Sequence, residues 1–322
     1  TDSRGFRVSY KDGNKIADFR FANNTSTCLV VGASSIFGVG ATNDRNTIAS
    51  RLNSITDYTW LNFGGRGYTS TQELMLFLFY YQQVPNIKKI VMISGLSNLI
   101  MHYLSKNYLK ELGSFFYWTL YYKHMNDAFL SPRRKIMKTI LSSVSSVFDE
   151  NIDYHKASKR DLLKQLFAAK KQRIANYDNR LWTTQANDSN REDLLCAFQR
   201  DILIWKTLTG YLGIKLYYVL HPFAQWIDRE LSSEEKILFE EGDRRKEANW
   251  IILKKNLERH QYVWYLEKMT EICRSNDIKF FDMNNAITKK ALDGKWLFVD
   301  RAHCTDEGYE LMARIIKDEV II

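Results

Sequence analysis

The chain predicts a three-layer α/β/α domain around a mostly parallel sheet of about five strands, interrupted by a helical insertion. Three observations carry this expectation. Short continuous apolar runs end at glycine or at His-Pro, stretches of helical periodicity separate them, and the rhythm stops after Asn98 and resumes at Ile214. A continuous apolar run closed by turn residues marks a strand buried on both faces, and strands that alternate with helices assemble into parallel sheets.

Thr27–Val31 is the first such run, ending at Gly32. Over Thr47–Ile55, residues Ile48, Leu52 and Ile55 recur at helical spacing. Thr59–Phe63 reads as a second strand, followed by the turn Gly64-Gly65-Arg66-Gly67 and a helix from Ser70 to Gln83. Lys88–Ser94 is a third strand, closed by Gly95. From Ile100 to Thr209 the periodicity is helical with no convincing strand. Such a stretch is far longer than a crossover needs, so residues 100–209 read as an insertion or cap within a single domain spanning 1–322. It holds Phe115, Phe116, Tyr117, Trp118, Tyr121 and Tyr122, more rings than one helix face can bury. The cluster therefore reads as insertion core with some rings left for a sugar or a membrane surface. The basic runs Arg133-Arg134-Lys135 and Lys156 to Arg173 read as a solvated face. Ile214–Leu220 is a fourth strand ending at His221-Pro222, a long helix covers Glu247–Ser275, and Ile278–Phe281 is a fifth strand. Thr305 suits a helix N-cap, with Asp306 and Glu307 in the first turn and Leu311, Met312, Ile315 and Ile316 on the apolar face.

With 45% apolar residues among 322, the chain can bury a large core, which argues against disorder. The net charge of +9 is spread along the chain and no nucleic-acid-binding module accompanies it, so no nucleic-acid partner is expected. Cys28, Cys196, Cys273 and Cys304 form no CxxC pair, so neither a zinc site nor a redox motif is expected. The most apolar runs, Leu74–Tyr81 and Phe115–Tyr122, are too short to span a bilayer. Localisation stays open between a soluble protein and the soluble part of an anchored or exported bacterial one, as do membrane contact and oligomeric state.

In open parallel sheets, reactive residues collect just past the carboxyl ends of the strands. Here those positions hold Ser34, the Gly64–Gly67 turn, Ser97-Asn98, His221 and, ahead of the last helix, Asp300-Arg301-Ala302-His303. Acyl transfer by serine needs a hydroxyl nucleophile, a histidine base, a carboxylate that orients it, and donors for the oxyanion. Ser34, His303 and Asp300 supply the first three, and the backbone N–H groups of Ser34 and Gly67 can supply donors. Each residue also has a plain reading: Ser34 as a turn cap, Gly67 as a turn glycine, His303 as an exposed residue before a helix. His221 reads as a pocket-lining residue or the satisfier of a local hydrogen bond. A dinucleotide-binding turn fits less well, because Gly32, Gly38 and Gly40 lack the Gly-x-Gly-x-x-Gly spacing and the second strand ends without an acidic residue.

Three segments together resemble the sequence blocks of SGNH/GDSL hydrolases. Gly32-Ala33-Ser34-Ser35-Ile36-Phe37-Gly38 resembles the first block in its Gly-x-Ser-Ser/Thr form. Asn62-Phe63-Gly64-Gly65-Arg66-Gly67 resembles the second, with the oxyanion glycine at Gly67. Phe298-Val299-Asp300-Arg301-Ala302-His303 resembles the fifth, with its Asp-x-x-His. Gly5-Phe6-Arg7 resembles the lead-in of many members. The third block departs from the family's Gly-x-Asn-Asp: Gly95-Leu96-Ser97-Asn98 puts Ser97 at the Asn position and Asn98 at the Asp position. The resemblance implies a flavodoxin-like SGNH fold. It also implies a Ser34–His303–Asp300 triad working through an acyl-enzyme, oxyanion donors from Ser34, Gly67 and Ser97 or Asn98, and no cofactor. The implied activity is an acyl-ester hydrolase or O-acyltransferase acting on a small-molecule or glycan ester, an acetylated carbohydrate above all. The altered third block keeps open a catalytically impaired glycan-binding or assembly protein.

Overall fold

The computed structural model describes residues 1–16, 26–104, 188–244, 253–254, 256–290 and 292–321. These belong to one compact unit formed by Thr1–Phe116 and Gln185–Ile322. A second unit, Tyr117–Thr184, lies outside the described residues, as do the aromatic cluster at 115–122 and the basic runs between 133 and 173.

A hairpin of β1 (Ser9–Lys11) and β2 (Asn14–Ile16) opens the chain. Its turn residues Asp12 and Gly13 both have positive φ (49° and 79°), the geometry two-residue hairpins prefer. The sequence reading did not anticipate this hairpin, because three-residue strands are too short to show alternation. The main sheet follows: β3 (Thr27–Gly32), β4 (Thr59–Gly64), β5 (Ile87–Ser94), β6 (Lys215–Leu220) and β7 (Lys279–Asp282). All four pairings are parallel, in the order β4-β3-β5-β6-β7. The five expected strands all form, each within a residue or two of its expected bounds.

Alternate residues of each strand face opposite layers. Leu29, Val31, Leu61, Phe63, Ile90, Met92, Tyr218 and Leu220 enter one core. Cys28, Val30, Trp60, Val91, Ile93, Tyr217 and Val219 enter the other. The first core is covered by helices Ser70–Tyr80, Leu96–Leu104, Asp188–Tyr211 and Arg259–Ser275, through Phe77, Leu99, Trp205, Tyr265 and Met269. The second is covered by Ile48–Ile55, Met283–Lys289 and Asp306–Ile315, through Leu52, Ile287, Tyr309 and Met312. The result is the expected α/β/α sandwich.

Three helical boundaries differ from the expectation. Asp188–Tyr211 buries Leu194, Phe198, Ile202 and Trp205 against the sheet, so this part of residues 100–209 is the helix that leads into β6. Periodicity alone does not separate a crossover helix from an insertion helix. Of the helix expected over Glu247–Ser275, residues 247–252 and 255 lie outside the described residues, Leu253, Lys254 and Asn256 are helical, and after a bend at Leu257-Glu258 the helix Arg259–Ser275 follows. A helix at Ser233–Arg244 went unread although Ser232-x-x-Glu235 is a capping-box pattern. Ser232 N–H donates to Glu235 Oε2 at 3.0 Å and Glu235 N–H returns to Ser232 Oγ at 3.2 Å. Among the described residues no helix is long and apolar enough to cross a membrane.

Candidate active site

Ser34 opens a four-residue helix, Ser34–Phe37, directly past β3. The turn is tight because two glycines let the chain close on itself. A Cβ at Gly32 would lie 2.4 Å from the Ile93 carbonyl oxygen, and one at Gly64 would lie 2.2 Å from the Phe37 nitrogen. Asn62 fastens the turn to β4: its Nδ2 donates to Ile36 O at 2.6 Å while its Oδ1 accepts from Gly64 N–H at 3.0 Å. As the first helical residue, Ser34 has an N–H without an intrahelical acceptor.

His303 comes from the far end of the chain. Its loop is closed by hydrogen bonds from Val299 N–H to His303 O and from Thr305 N–H to Leu297 O, both 2.9 Å. Thr305 caps the final helix as expected, its hydroxyl accepting from Gly308 N–H at 3.1 Å. Ser35 Oγ donates to Ala302 O at 2.9 Å and joins the two loops. Asp306 accepts from Thr42 N–H and Asn46 Nδ2 at 2.9 and 2.6 Å, joining them again. Beneath the loop, buried Glu235 accepts the N–H groups of Leu297 and Phe298 at 3.0 and 2.9 Å and is ion-paired to buried Arg229. Ser35 and Glu235 carried no signal of this role in the sequence, since the loop residues they hold lie 267 and 62 to 63 residues away, and Arg229 acts through Glu235.

The two loops bring Ser34, His303 and Asp300 together. His303 Nε2 is 2.7 Å from Ser34 Oγ, and His303 Nδ1 is 2.7 Å from Asp300 Oδ2. Asp300 Oδ1 accepts the N–H groups of Ala302 and His303, both at 2.8 Å. Partial burial works against the Asp300 carboxylate, but these bonds and His303 outweigh it and hold the group below its usual range. Asp300 is therefore an acceptor only, which assigns the proton on Nδ1 and leaves Nε2 free to accept from the serine. The His303 side chain is 20% exposed, so the relay opens to solvent.

Strand order sets what flanks it. β3 lies between β4 and β5, with Gly32 paired to Gly64 on one side and to Ile93 on the other. Ser34 therefore emerges between the Gly64–Gly67 turn and the Gly95–Asn98 turn. Gly67, at φ +72°, has an N–H with no hydrogen-bond partner among the described residues. Half-buried Ser97 likewise has a hydroxyl with no partner among them. Asn98 is different: it is 2% exposed, its Oδ1 accepts from Ser70 N–H at 2.9 Å and its Nδ2 donates to Ser70 Oγ at 2.7 Å. Its amide fastens the start of the Ser70–Tyr80 helix.

His221 stands just past β6, buried, with its N–H on Ser94 O at 3.0 Å and its carbonyl accepting from Asn284 at 3.3 Å. Burial, and then the nearby His303, push its pKa down to about 3, with Pro222 and Asp300 acting in the opposite sense. Its imidazole is therefore held neutral, next to His303. Among the described residues no cluster of three or more His, Cys, Asp or Glu side chains could hold a metal ion.

No family model matches the sequence, and no curated protein matches it. Solved structures are similar to it. One is the acetyl xylan esterase AlAXEase, at 11% identity over 92% of this chain and 100% of that one, TM-score 0.43. Another is the lipase/acylhydrolase from Enterococcus faecalis, at 12% identity over 92% and 97%, TM-score 0.42. A member of the lipolytic protein G-D-S-L family from Veillonella parvula is similar at 9% identity over 91% and 97%, TM-score 0.41.

Proposed function

We propose that this chain is a serine-dependent acyl-ester hydrolase with Ser34 as nucleophile, His303 as general base and acid, and Asp300 as the group that orients His303. The observation that carries this reading is the continuous Ser34–His303–Asp300 relay, with both contacts at 2.7 Å. Ser34 Oγ attacks the ester carbonyl carbon as its proton passes to His303 Nε2. The imidazolium forms beside the Asp300 carboxylate. The oxyanion takes hydrogen bonds from the N–H groups of Ser34 and Gly67 and from the Ser97 hydroxyl, while Asn98 serves the helix behind it. His303 returns the proton to the leaving alcohol, and an acyl-Ser34 remains. Water then releases the acid and restores Ser34; a sugar hydroxyl in the same place would make the reaction an O-acyl transfer. His221 lines this site as a neutral group. An acetylated carbohydrate is the first substrate class to try, and no cofactor takes part.

A second reading has one observation in its favour. With the Asn98 amide spent on Ser70, a short rotating hydroxyl is the one side-chain donor left for the oxyanion, which suits an impaired, glycan-binding protein. Fluorophosphonate labelling alongside an acetyl-ester assay separates the two. The enzyme reading expects wild-type protein to label and turn over, and Ser34→Ala to do neither. Binding of acetylated oligosaccharide that persists in Ser34→Ala, with no wild-type labelling, would replace it by the binding reading.

A further inference from the structure

Gly95 and the first turn of the Leu96–Leu104 helix are held from beneath by polar side chains. Tyr265, fully buried in the Arg259–Ser275 helix, donates its hydroxyl to Gly95 O at 2.9 Å. Ser94, the last residue of β5, donates to buried Glu73 Oε1 at 2.8 Å. Asn98 holds Ser70, whose hydroxyl donates to buried Asp201 at 2.6 Å. Gly95 sits at φ +99°, and a Cβ there would lie 3.0 Å from Tyr218 Oη and 3.3 Å from Tyr265 Oη. Two phenol hydroxyls thus crowd against the Gly95 backbone, with the Glu73 carboxyl group bonded to the neighbouring Ser94. Tyr218 Oη and Glu73 Oε2 are buried with no hydrogen-bond partner among the described residues. Each such group costs stability in an apolar layer, where phenylalanine or leucine would pack as well. Among the phenols, Tyr265 alone contacts the turn through a directed bond, and it reaches the residue two positions before Ser97.

We infer that Tyr265 is a positioning residue: its hydroxyl fixes the Gly95 carbonyl and thereby holds the Ser97 hydroxyl at the oxyanion side of Ser34. This rests on the esterase reading above. Without the phenolic O–H, the Gly95 carbonyl keeps the Leu99 N–H of its own helix at 3.1 Å but loses its link to the Arg259–Ser275 helix, and the Ser97 donor drifts from the position where charge develops. Small displacements of a catalytic group cost large factors in rate, while binding of the ground-state ester is little changed.

The test is a cycle of Tyr265→Phe, Ser97→Ala and the double variant, with Tyr218→Phe as a packing control. The probes are a chromogenic acetyl ester for kcat and KM, and a fluorophosphonate for the labelling rate. Tyr265→Phe keeps the ring and its packing, and is expected to lower kcat roughly ten- to a hundredfold with KM nearly unchanged. The labelling rate should fall in parallel. In the Ser97→Ala background the same change should have almost no further effect, because the donor it positions is gone. Tyr218→Phe should leave kcat unchanged. The inference is overturned by a normal kcat in Tyr265→Phe, by equal losses in both Ser97 backgrounds, or by an equal loss in Tyr218→Phe. Absence of wild-type labelling and turnover would instead remove the esterase reading, and this inference with it.

Discussion

Asn98 and Ser97 sit side by side, and under the proposed function their environments divide the work between them. Asn98 has both ends of its amide on Ser70, whereas the Ser97 hydroxyl has no partner among the described residues. Removing a donor that acts only on the oxyanion lowers turnover without touching the folded state. Ser97→Ala is therefore expected to lower kcat about a hundred- to a thousandfold with unchanged thermal stability. Asn98→Ala should do the reverse. It strands the buried Ser70 N–H and so costs about 1–3 kcal/mol in denaturant unfolding, while the remaining folded protein keeps most of its turnover. Similar kinetic losses in both variants would mean that the two share the oxyanion role. That Ser34, His303 and Asp300 lie together was legible in the sequence, from their residue types, the three-residue spacing of Asp300 and His303 on one loop, and the place of Ser34 just past β3. The division between Ser97 and Asn98 was not legible, since the deciding partner is Ser70 on another helix.

The site is assembled by loops packed edge to edge, and Gly40 makes the approach between the Ser34 loop and the His303 loop. It has φ +94°, and a Cβ there would lie 2.4 Å from Cys304 O and 3.0 Å from Val299 Cγ2. The neighbouring Val39 carbonyl accepts the Tyr309 hydroxyl of the last helix. The Ser34 loop thus leans on the His303 loop at a place where only hydrogen fits. Gly40→Ala is expected to push the 303–305 backbone away from Ser34. The activity loss should be tenfold or more by order of magnitude, larger than the accompanying fall in Tm alone would explain. A crystal structure of the variant with the 2.7 Å His303–Ser34 contact intact and full activity would refute it. Elements read well from the sequence where burial is complete, as in β3 and in the Ile90–Ile93 stretch of β5, whose residues are apolar on both faces. They read poorly where an element is short or half-covered. The β1–β2 hairpin and the Met283–Lys289 helix are too short for a period to show. At Leu257-Glu258 a bend interrupts a run that looks continuous.

Across the whole molecule, three buried titratable groups set how stability depends on pH. His102 and His221 have their pKa values lowered from 6.5 to about 4 and about 3. Burial is the main cause for both, aided by Arg191 for His102 and by His303 for His221. Between those values and 6.5 the unfolded chain binds protons that the folded chain refuses, so stability rises with pH through this window and is level above it. Glu73 behaves oppositely. Burial raises its pKa from 4.5 to about 8, with the Ser94 hydrogen bond opposing and Asp201 reinforcing. Between 4.5 and 8 the folded chain keeps a proton the unfolded chain has lost, so stability falls as pH rises through that range. Below 6.5 the two histidines outweigh the one glutamate; above 6.5 the glutamate acts alone. Each proton of difference is worth about 1.4 kcal/mol per pH unit, enough to move a melting curve. Tm should therefore peak near pH 6.5 and decline toward pH 8. Glu73→Gln keeps an acceptor for Ser94 and cannot ionise, so it should abolish the alkaline decline while leaving the acid side in place. His102→Gln should soften the acid side alone. Thermal unfolding of the three proteins from pH 5 to pH 9 decides this, and parallel curves for wild type and Glu73→Gln would show that the carboxyl group ionises freely in the folded state.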